Sequence, residues 1–493
     1  MAKKNKPFRP KARRPRGFED RSAESLRAEA RLIQAAFSVY DMHGFEPLQT
    51  PAFEFADALG KFLPDEDRPN TGVFALQDDD EQWMSLRYDL TAPLARFVAE
   101  NYDGLAKPYR RYQAGSVFRN EKPGPGRFRE FTQCDADSVG AAGPAADAEM
   151  IMLAAEVMRA AGLKDGQYAI RVNNRKLLDG ILEASGVPNT EDGAVQRLQV
   201  LRAIDKLDRL GTQGVEALLG EGREDESGDY TEGAKLNAEG IKAVLGFMTA
   251  SADDRIETVK TLESLVGQSE RGLSGVNELA QIDSILSAVG FGPDRVSFDT
   301  SIVRGLGYYT GPVFEAELLA DIRDRKGRPV RIGSIGGGGR YDDLVSRFRG
   351  QAVPATGFSF GVSRFLSALE RMDALESGAK PPVVICAFDR SLMGEYFKMA
   401  AQLHAEGIRA EVFVGSGNVT KQMKYADRRK AQVAVLMGSD EMEAGEVTLK
   451  DLYEGAKAAQ AIESNEEWKS TRPAQETVSR DVWVQAVKAM LEG

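Results

Sequence analysis

Residues 118–137 read FRNEKPGPGRFREFTQCDAD: Arg119, Arg127 and Arg129 flank a turn rich in proline and glycine, and Asp135 and Asp137 close the segment. The planar fork of arginine binds phosphate oxygens in pairs and stays charged. Arg119 lies just before the turn and Arg127 just after it, so both can reach one polyphosphate. Strand side chains alternate. From Arg127 onward one face therefore carries Arg127, Arg129, Phe131, Gln133, Asp135 and Asp137, and the other Phe128, Glu130, Thr132, Cys134 and Ala136. A face that runs from guanidinium through aromatic ring and amide to carboxylate suits an elongated ligand with an anionic end, a flat ring and a cationic or hydrogen-donating end. Phosphates, a base and an amino acid fit that order. Taken alone, the same residues also fit an exposed hairpin whose arginines pair with Glu121, Glu130 and the aspartates, since such surface pairs cost little to make.

Three further stretches favour the ligand reading. RGLGYYTGPVFE (304–315) crowds an arginine, three glycines and two adjacent tyrosines into a strand-like segment, where small residues permit close backbone approach. GGGGRYDDL (336–344) opens on four glycines, which by themselves signal only a turn. GFSFGVSRFLSAL puts Arg364 in the first turn of a helix, where the peptide dipoles add attraction for an anion. None of them matches the phosphate loop GxxxxGK[ST]. His43 and His404 lack any HExxH or Ser/His/Asp context, which gives a histidine base or a His-ligated metal little support. Cys134 and Cys386 form no CxxC pair, which excludes a disulfide scaffold and points to a reducing cytoplasm.

The elements that must position these residues come from a chain of 493 residues, long enough for about three domains. Its net charge of −11 argues against a protein that simply coats nucleic acid, although a local basic surface can still bind it. No run approaches the ~20 apolar residues of a membrane span, so no membrane association is expected. Residues 1–16 hold eight Lys or Arg and no acid. They read as a basic arm, either disordered or touching RNA, and the lack of a following apolar segment excludes a secretory signal. Residues 23–43 have helical spacing with Gly44 as cap, 45–55 read as extended, and 109–139 as two strands joined by KPGPG. A mixed core thus spans 17–185 and 274–378, with a helical insertion at 186–273. After Pro381 and Pro382, short buried-type strands alternate with helices, giving an α/β domain over 379–493.

Together these residues resemble the histidyl-tRNA synthetase family of class II aminoacyl-tRNA synthetases. FEPLQTPAFE is similar to the family's first motif, with Pro51 at the dimer interface. The segment around Phe118-Arg119-Asn120-Glu121 is similar to the second motif and GFSFGVSRF to the third. RGLGYYTG and GGGRYDDL resemble the two signatures peculiar to the histidine enzymes. The resemblance implies an α+β core with an antiparallel sheet, a C-terminal α/β anticodon-binding domain, and a cytoplasmic homodimer. It also implies ATP and Mg²⁺, with L-histidine and tRNA(His) as partners.

Position by position, it implies that Arg119 holds the ATP α-phosphate and Arg127 the γ-phosphate. Arg364 touches the γ-phosphate and stacks on adenine opposite Phe131, with Glu121 near the adenine edge. Asp89, Thr91 and Gln133 grip the α-amino group of histidine. Asp137 and Tyr309 bond the imidazole nitrogens, Tyr308 lines the pocket, and Arg304 sits between the carboxylate and the α-phosphate. Asp89 and Asp137 stand where many bacterial members carry glutamate, so the charge is kept but the reach is shorter. Lys122 is the one side chain of the KPGPG loop able to hydrogen-bond a tRNA acceptor end. The reading implied is ligation of histidine to tRNA through a histidyl-adenylate. The alternative is a non-catalytic paralogue that regulates ATP phosphoribosyltransferase in histidine biosynthesis.

Overall fold

Ser22 ends the extended N-terminal stretch, and its side chain accepts the Ser25 N–H at 3.1 Å, capping α1 (Ala23–Met42). Ala28, Leu32, Ala36 and Tyr40 recur every four residues and are buried, so the helix presents one apolar stripe. It stops at His43, because Gly44 takes φ 74°, a conformation that glycine adopts without a Cβ clash. The computed structural model describes residues 9–58, 72–124, 126–188, 190–224, 229–302, 309–319, 327–328, 333–372, 378, 380–455 and 474–492. The chain divides into two units, Met1–Ser377 and Gly378–Gly493.

In the first unit the strands are β1 (Glu46–Pro47), β2 (Phe53–Phe55), β3 (Ala75–Gln77), β4 (Trp83–Leu86), β5 (Tyr109–Phe118), β6 (Glu130–Val139), β7 (Tyr168–Asn174), β8 (Gly222–Glu224), β9 (Tyr230–Glu232), β10 (Val296–Phe298), β11 (Pro312–Leu318), β12 (Ser334–Arg340) and β13 (Ala355–Phe360). Eight of them form one sheet in the order β1-β5-β6-β13-β12-β11-β7-β10. It is antiparallel from β5 through β7, and parallel pairings of β1 with β5 and of β10 with β7 close its two edges. The antiparallel core sheet expected from the sequence is therefore present.

The two faces of this sheet differ in kind. Cys134, Ala136, Phe358, Phe360, Phe314, Ala316, Ile170 and Val172 share one face through the strand register. They join a continuous apolar core with α1, α3 (Pro144–Ala160), α9 (Glu270–Ala288) and α11 (Val362–Arg371). The residues between them, Gln133, Asp135, Asp137, Gly357, Ser359, Gly337 and Glu315, lie on the opposite face. The glycine run 336–339, which by itself signals a turn, is the middle of strand β12. A Cβ on Gly338 would lie 2.1 Å from the Gly357 carbonyl oxygen and 2.6 Å from the Phe314 ring, so only glycine lets that ring lie flat beneath the sheet.

The connection from β5 to β6 is longer than KPGPG. The ladder ends at Phe118 and resumes at Glu130, and among the described residues of the interval the isolated bridges are Gly72 to Asn120 and Gly124 to Arg127. Pro123 offers no N–H to extend the pairing. Arg127 and Arg129 thus stand on a loop rather than on the strand face where alternation put them.

Residues 175–266 contribute α4 (Arg175–Ala184), α5 (Glu191–Ile204), α6 (Leu207–Leu219), α7 (Ala238–Met248) and α8 (Arg255–Val266), with the β8–β9 hairpin between α6 and α7. Val200, Leu218, Phe247 and Leu262 belong to the same apolar core as the sheet. The second unit is a five-stranded sheet built from β14 (Val383–Ala387), β15 (Ala410–Val412), β16 (Val433–Met437), β17 (Glu446–Asp451) and β18 (Gln475–Ser479). Its order is β15-β14-β16-β17-β18, and its core includes Ile385, Met399, Leu403, Val435 and Trp483.

The crowding at the glycine run can be tested by unfolding. Gly338→Ala should lose about 1–3 kcal/mol through overpacking against backbone. Gly337→Ala, whose nearest neighbour would be 3.4 Å away, should stay within about 0.5 kcal/mol of the parent. Urea titration of both variants measures the difference.

Candidate active site

The polar face of the sheet opens into a cavity of about 360 Å³. At one end Arg119, Lys122, Arg127 and Arg364 line it, from the two sides of the β5–β6 loop and the first turn of α11. Arg119 is held by stacking: its guanidinium lies 4.4 Å from the centre of the Tyr88 ring and 5.1 Å from that of Phe131. Its Nε donates to the Tyr88 carbonyl at 3.4 Å, and its backbone N–H donates to the Arg129 carbonyl at 2.9 Å. Glu121 lines the same end and accepts a hydrogen bond from the Tyr88 hydroxyl at 2.9 Å. Arg364 donates to the Ser334 carbonyl at 2.9 Å. Loop and helix therefore aim three guanidiniums and an ammonium at one space.

The other end is acidic and buried. Gln133 and Tyr309 line the cavity, and Ser359 stands between Gln133 and Asp135, donating to Asp135 Oδ1 at 2.5 Å. Asp137, one step further along β6, pairs with Arg111 of β5 at 2.7 Å and accepts from the Tyr341 hydroxyl. Arg111 has no exposed side-chain surface and donates to the Leu90 carbonyl at 2.9 Å. Asp89 caps α2 (Thr91–Asn101), accepting the Thr91 and Ala92 N–H groups at 3.2 and 2.9 Å. Burial raises the carboxyls of Asp89, Asp135 and Asp137 above the usual aspartate range. For Asp135, burial and then the neighbouring Asp137 push it up to about 8, against the opposing pull of Arg111. Tyr309 is likewise raised by burial and by Asp135, Glu315 and Asp137, so its phenol stays protonated.

Of the residues singled out in the sequence, the cavity gathers Arg119, Glu121, Lys122, Arg127, Phe131, Gln133, Tyr309 and Arg364. Asp89, Thr91 and Asp137 are not among its lining residues. The first and last of these join it electrostatically, since Asp89 lies near Arg119 and Arg111 and both acids face Tyr309. Arg304 and Tyr308 lie outside the described residues. Sequence reasoning missed Arg111 and Ser359. Antiparallel register places Arg111 opposite Asp137 and Ser359 opposite Asp135, so the signal lay in the pairing of strands and not in any one strand.

Arg111 is the counter-charge for this acidic end. Arg111→Met should cost about 3–5 kcal/mol at pH 8, where the carboxyls left behind must ionise in a buried site. The cost should shrink towards pH 5. A carboxyl whose folded pKa exceeds its unfolded one stabilises less as pH rises through the interval, and loss of Arg111 widens that interval upward. Unfolding curves at the two pH values check the sign.

Residues 17–365 match the family model described as histidyl-tRNA synthetase, and residues 382–488 match the model of an anticodon binding domain. The histidine–tRNA ligase of Caulobacter vibrioides is 56% identical over 491 residues, covering 99% of this chain and 98% of that protein. That of Bradyrhizobium diazoefficiens is 55% identical, covering 100% of this chain and 98% of the relative. Among solved structures, the histidyl-tRNA synthetase of a Nostoc species aligns with a TM-score of 0.72 at 28% identity, over 98% of this chain and 100% of that one. A protein of Bacillus halodurans titled as ATP phosphoribosyltransferase regulatory subunit/histidyl-tRNA synthetase shares the fold, with a TM-score of 0.65 at 23% identity over 85% of this chain and 97% of its own. With residues 17–365 and 382–488 matched by these two models and relatives 55–56% identical along nearly the whole chain, the chain belongs to the histidyl-tRNA synthetase family.

Proposed function

We propose that this protein ligates L-histidine to tRNA(His) in two steps at the cavity on the polar face of its central sheet. The observation that carries this reading is the pairing, across one ring, Phe131, of a guanidinium-lined end with an end lined by Gln133, Ser359 and Tyr309, behind which Asp135 and Asp137 are buried. The histidine carboxylate is already a nucleophile, so attack on the α-phosphorus of ATP needs alignment and charge stabilisation rather than a protein base. Arg119 meets the α-phosphate, Arg127 and Arg364 the γ-phosphate, and Phe131 the adenine ring, with Glu121 at its edge. Arg304, by family resemblance, joins the carboxylate to the α-phosphate. Gln133, Asp89 and Thr91 take the α-ammonium, and Tyr309, Tyr308 and Asp137 the imidazole. In the second step a ribose hydroxyl at the tRNA 3′ end attacks the adenylate carbonyl and AMP leaves.

No group of three His, Cys, Asp or Glu among the described residues could hold a metal by itself. A cation carried mainly by the ATP phosphates and water, with at most one carboxylate such as Glu121 near it, fits that arrangement. When bound there, Mg²⁺ neutralises phosphate charge and eases departure of pyrophosphate. Lys122 lies exposed at the mouth and supplies attraction for the tRNA acceptor end. The match at 382–488 favours a tRNA ligase over the regulatory alternative, whose members lack the anticodon-binding domain. The protein acts in the cytoplasm as a homodimer. Support for the dimer comes from Phe53, Phe55, Leu76 and Trp83, exposed on the small sheet β2-β4-β3, beside Pro51.

Exchange of labelled pyrophosphate into ATP should require histidine and no other amino acid. Arg119→Ala should slow it by at least about a hundredfold, roughly 2.7 kcal/mol of transition-state stabilisation, without unfolding the protein. Near-normal exchange in that variant would remove Arg119 from the mechanism.

The dimer has its own test. Phe55→Glu should shift the sedimentation coefficient from dimer to monomer at micromolar concentration, and an unchanged value would place the interface elsewhere.

A further inference from the structure

Three polar side chains run in sequence from the buried acid to the cavity: Asp135, Ser359 and Gln133. We propose that Asp135 and Ser359 are positioning residues that fix which way the Gln133 amide points, so that its carbonyl oxygen and not its NH₂ meets the α-ammonium of the amino-acid substrate. The inference rests on the reading of Gln133 as an α-amino ligand and adds what makes it one.

The two ends of an amide have nearly the same shape, so hydrogen bonding alone selects between them. Ser359 lies opposite Asp135 in the β6–β13 ladder, and Gln133 is two residues before Asp135 on the same face. The single hydroxyl proton of Ser359 goes to Asp135 Oδ1 at 2.5 Å. Towards Gln133 the hydroxyl can then only accept, and it takes a hydrogen bond from Gln133 Nε2. Gln133 Oε1 is thereby turned away from Ser359. It is buried with no hydrogen-bond partner among the described residues, in a side chain that lines the cavity. A buried amide oxygen facing a cavity suits a cationic N–H group as donor.

The polarity of this chain depends on the charge of Asp135. A protonated Asp135 can donate to Ser359, which can then donate to Gln133 Oε1 and swing the NH₂ toward the substrate ammonium. Several groups bear on the acid. Asp137 on the same strand and Asp89 at the start of α2 raise it, and Arg111 on β5 and the Ser359 bond lower it. Arg87, Tyr309, Tyr40 and Cys134 also lie within its electrostatic reach. Because its carboxyl sits at about 8 before substrate arrives, the added positive charge of an α-ammonium favours the carboxylate. Histidine binding and loss of this proton are then linked, and affinity for histidine rises with pH towards 8 while affinity for ATP does not.

The test uses the full-length protein and histidine-dependent pyrophosphate exchange. Ser359→Ala should raise the KM for histidine about tenfold and leave that for ATP within about twofold, and Ser359→Thr, which keeps the hydroxyl, should restore it. Asp135→Asn should flatten the rise in kcat/KM for histidine between pH 7 and 8.5, measured as a ratio to the parent so that titration of histidine itself cancels. Gln133→Ala serves as the reference. If it raises the histidine KM and Ser359→Ala does not, the relay is wrong while the amino-acid site stands. If Gln133→Ala leaves that KM unchanged, the assignment of Gln133 fails and the relay with it. Equal rises for histidine and ATP in Ser359→Ala would show a general structural defect and overturn the positioning role.

Discussion

Alternation along a strand ties the chemistry of this protein to its stability. On β6 the site residues Phe131, Gln133, Asp135 and Asp137 are separated from one another by residues that belong to the other face: Thr132, Cys134 and Ala136. A shift of register by one residue would drive two aspartates into the helix-packed core and turn Cys134 and Ala136 outward. The apolar layer of α1, α3, α9 and α11 therefore fixes the site as firmly as it fixes the fold. The same constraint accounts for the glycines of β12. On the core side they admit the stacked rings of Phe314 and Phe358, whose centres are 6.1 Å apart. On the cavity side Gly337 leaves the floor bare.

Placing three carboxyls on one face beneath a cavity is costly unless charge is supplied. Arg111 supplies it from β5, buried and opposite Asp137, and Arg87 adds to it from the chain just before α2. Arg87 fits because Gly115 has no side chain: a Cβ there would lie 2.3 Å from Arg87 Nη2. Arg87 in turn donates to the Ser116 carbonyl at 2.7 Å and to that of Thr50 at 3.0 Å. Burial, and after it the neighbouring Asp137, still hold the Asp135 carboxyl above its ordinary range against the pull of Arg111. An acidic end left partly unsatisfied in this way has a standing preference for a cationic ligand.

Much of this was legible in the sequence, and the reasons for the rest are physical. Periodicity marked α1 and the strands on either side of the β5–β6 loop, alternation put Phe131 and Gln133 on one face, and the family resemblance, rather than spacing, brought Arg119 and Arg364 to the same site. The strand face drawn through Arg127 and Arg129 was wrong, because a loop with two prolines does not continue a ladder. The glycine run passed for a turn, because local composition cannot say that two phenylalanines from other strands need the room. Arg111 and Ser359 could not be singled out, because their roles exist only across strand pairs. The residues that bond through their own chain segment were readable, and those that bond through register were not.

The cationic end poses the opposite problem. A chain of net charge −11 repels both ATP and tRNA at long range, so the attraction must come from cations concentrated near the cavity. The N-terminal segment is joined to the same loop. Arg129 donates its backbone N–H to the Gly17 carbonyl at 2.9 Å, and the Phe18 ring sits 5.8 Å from that of Phe74. A Cβ on Gly17 would lie 2.9 Å from the Arg129 side chain, so glycine is what lets the two segments close on each other. Arg9, Lys11, Arg13, Arg14 and Arg16 are exposed immediately before this junction. The loop that carries Lys122 and Arg127 is therefore flanked by further positive charge in a protein otherwise acidic. Local placement, not composition, gives this end of the cleft its sign.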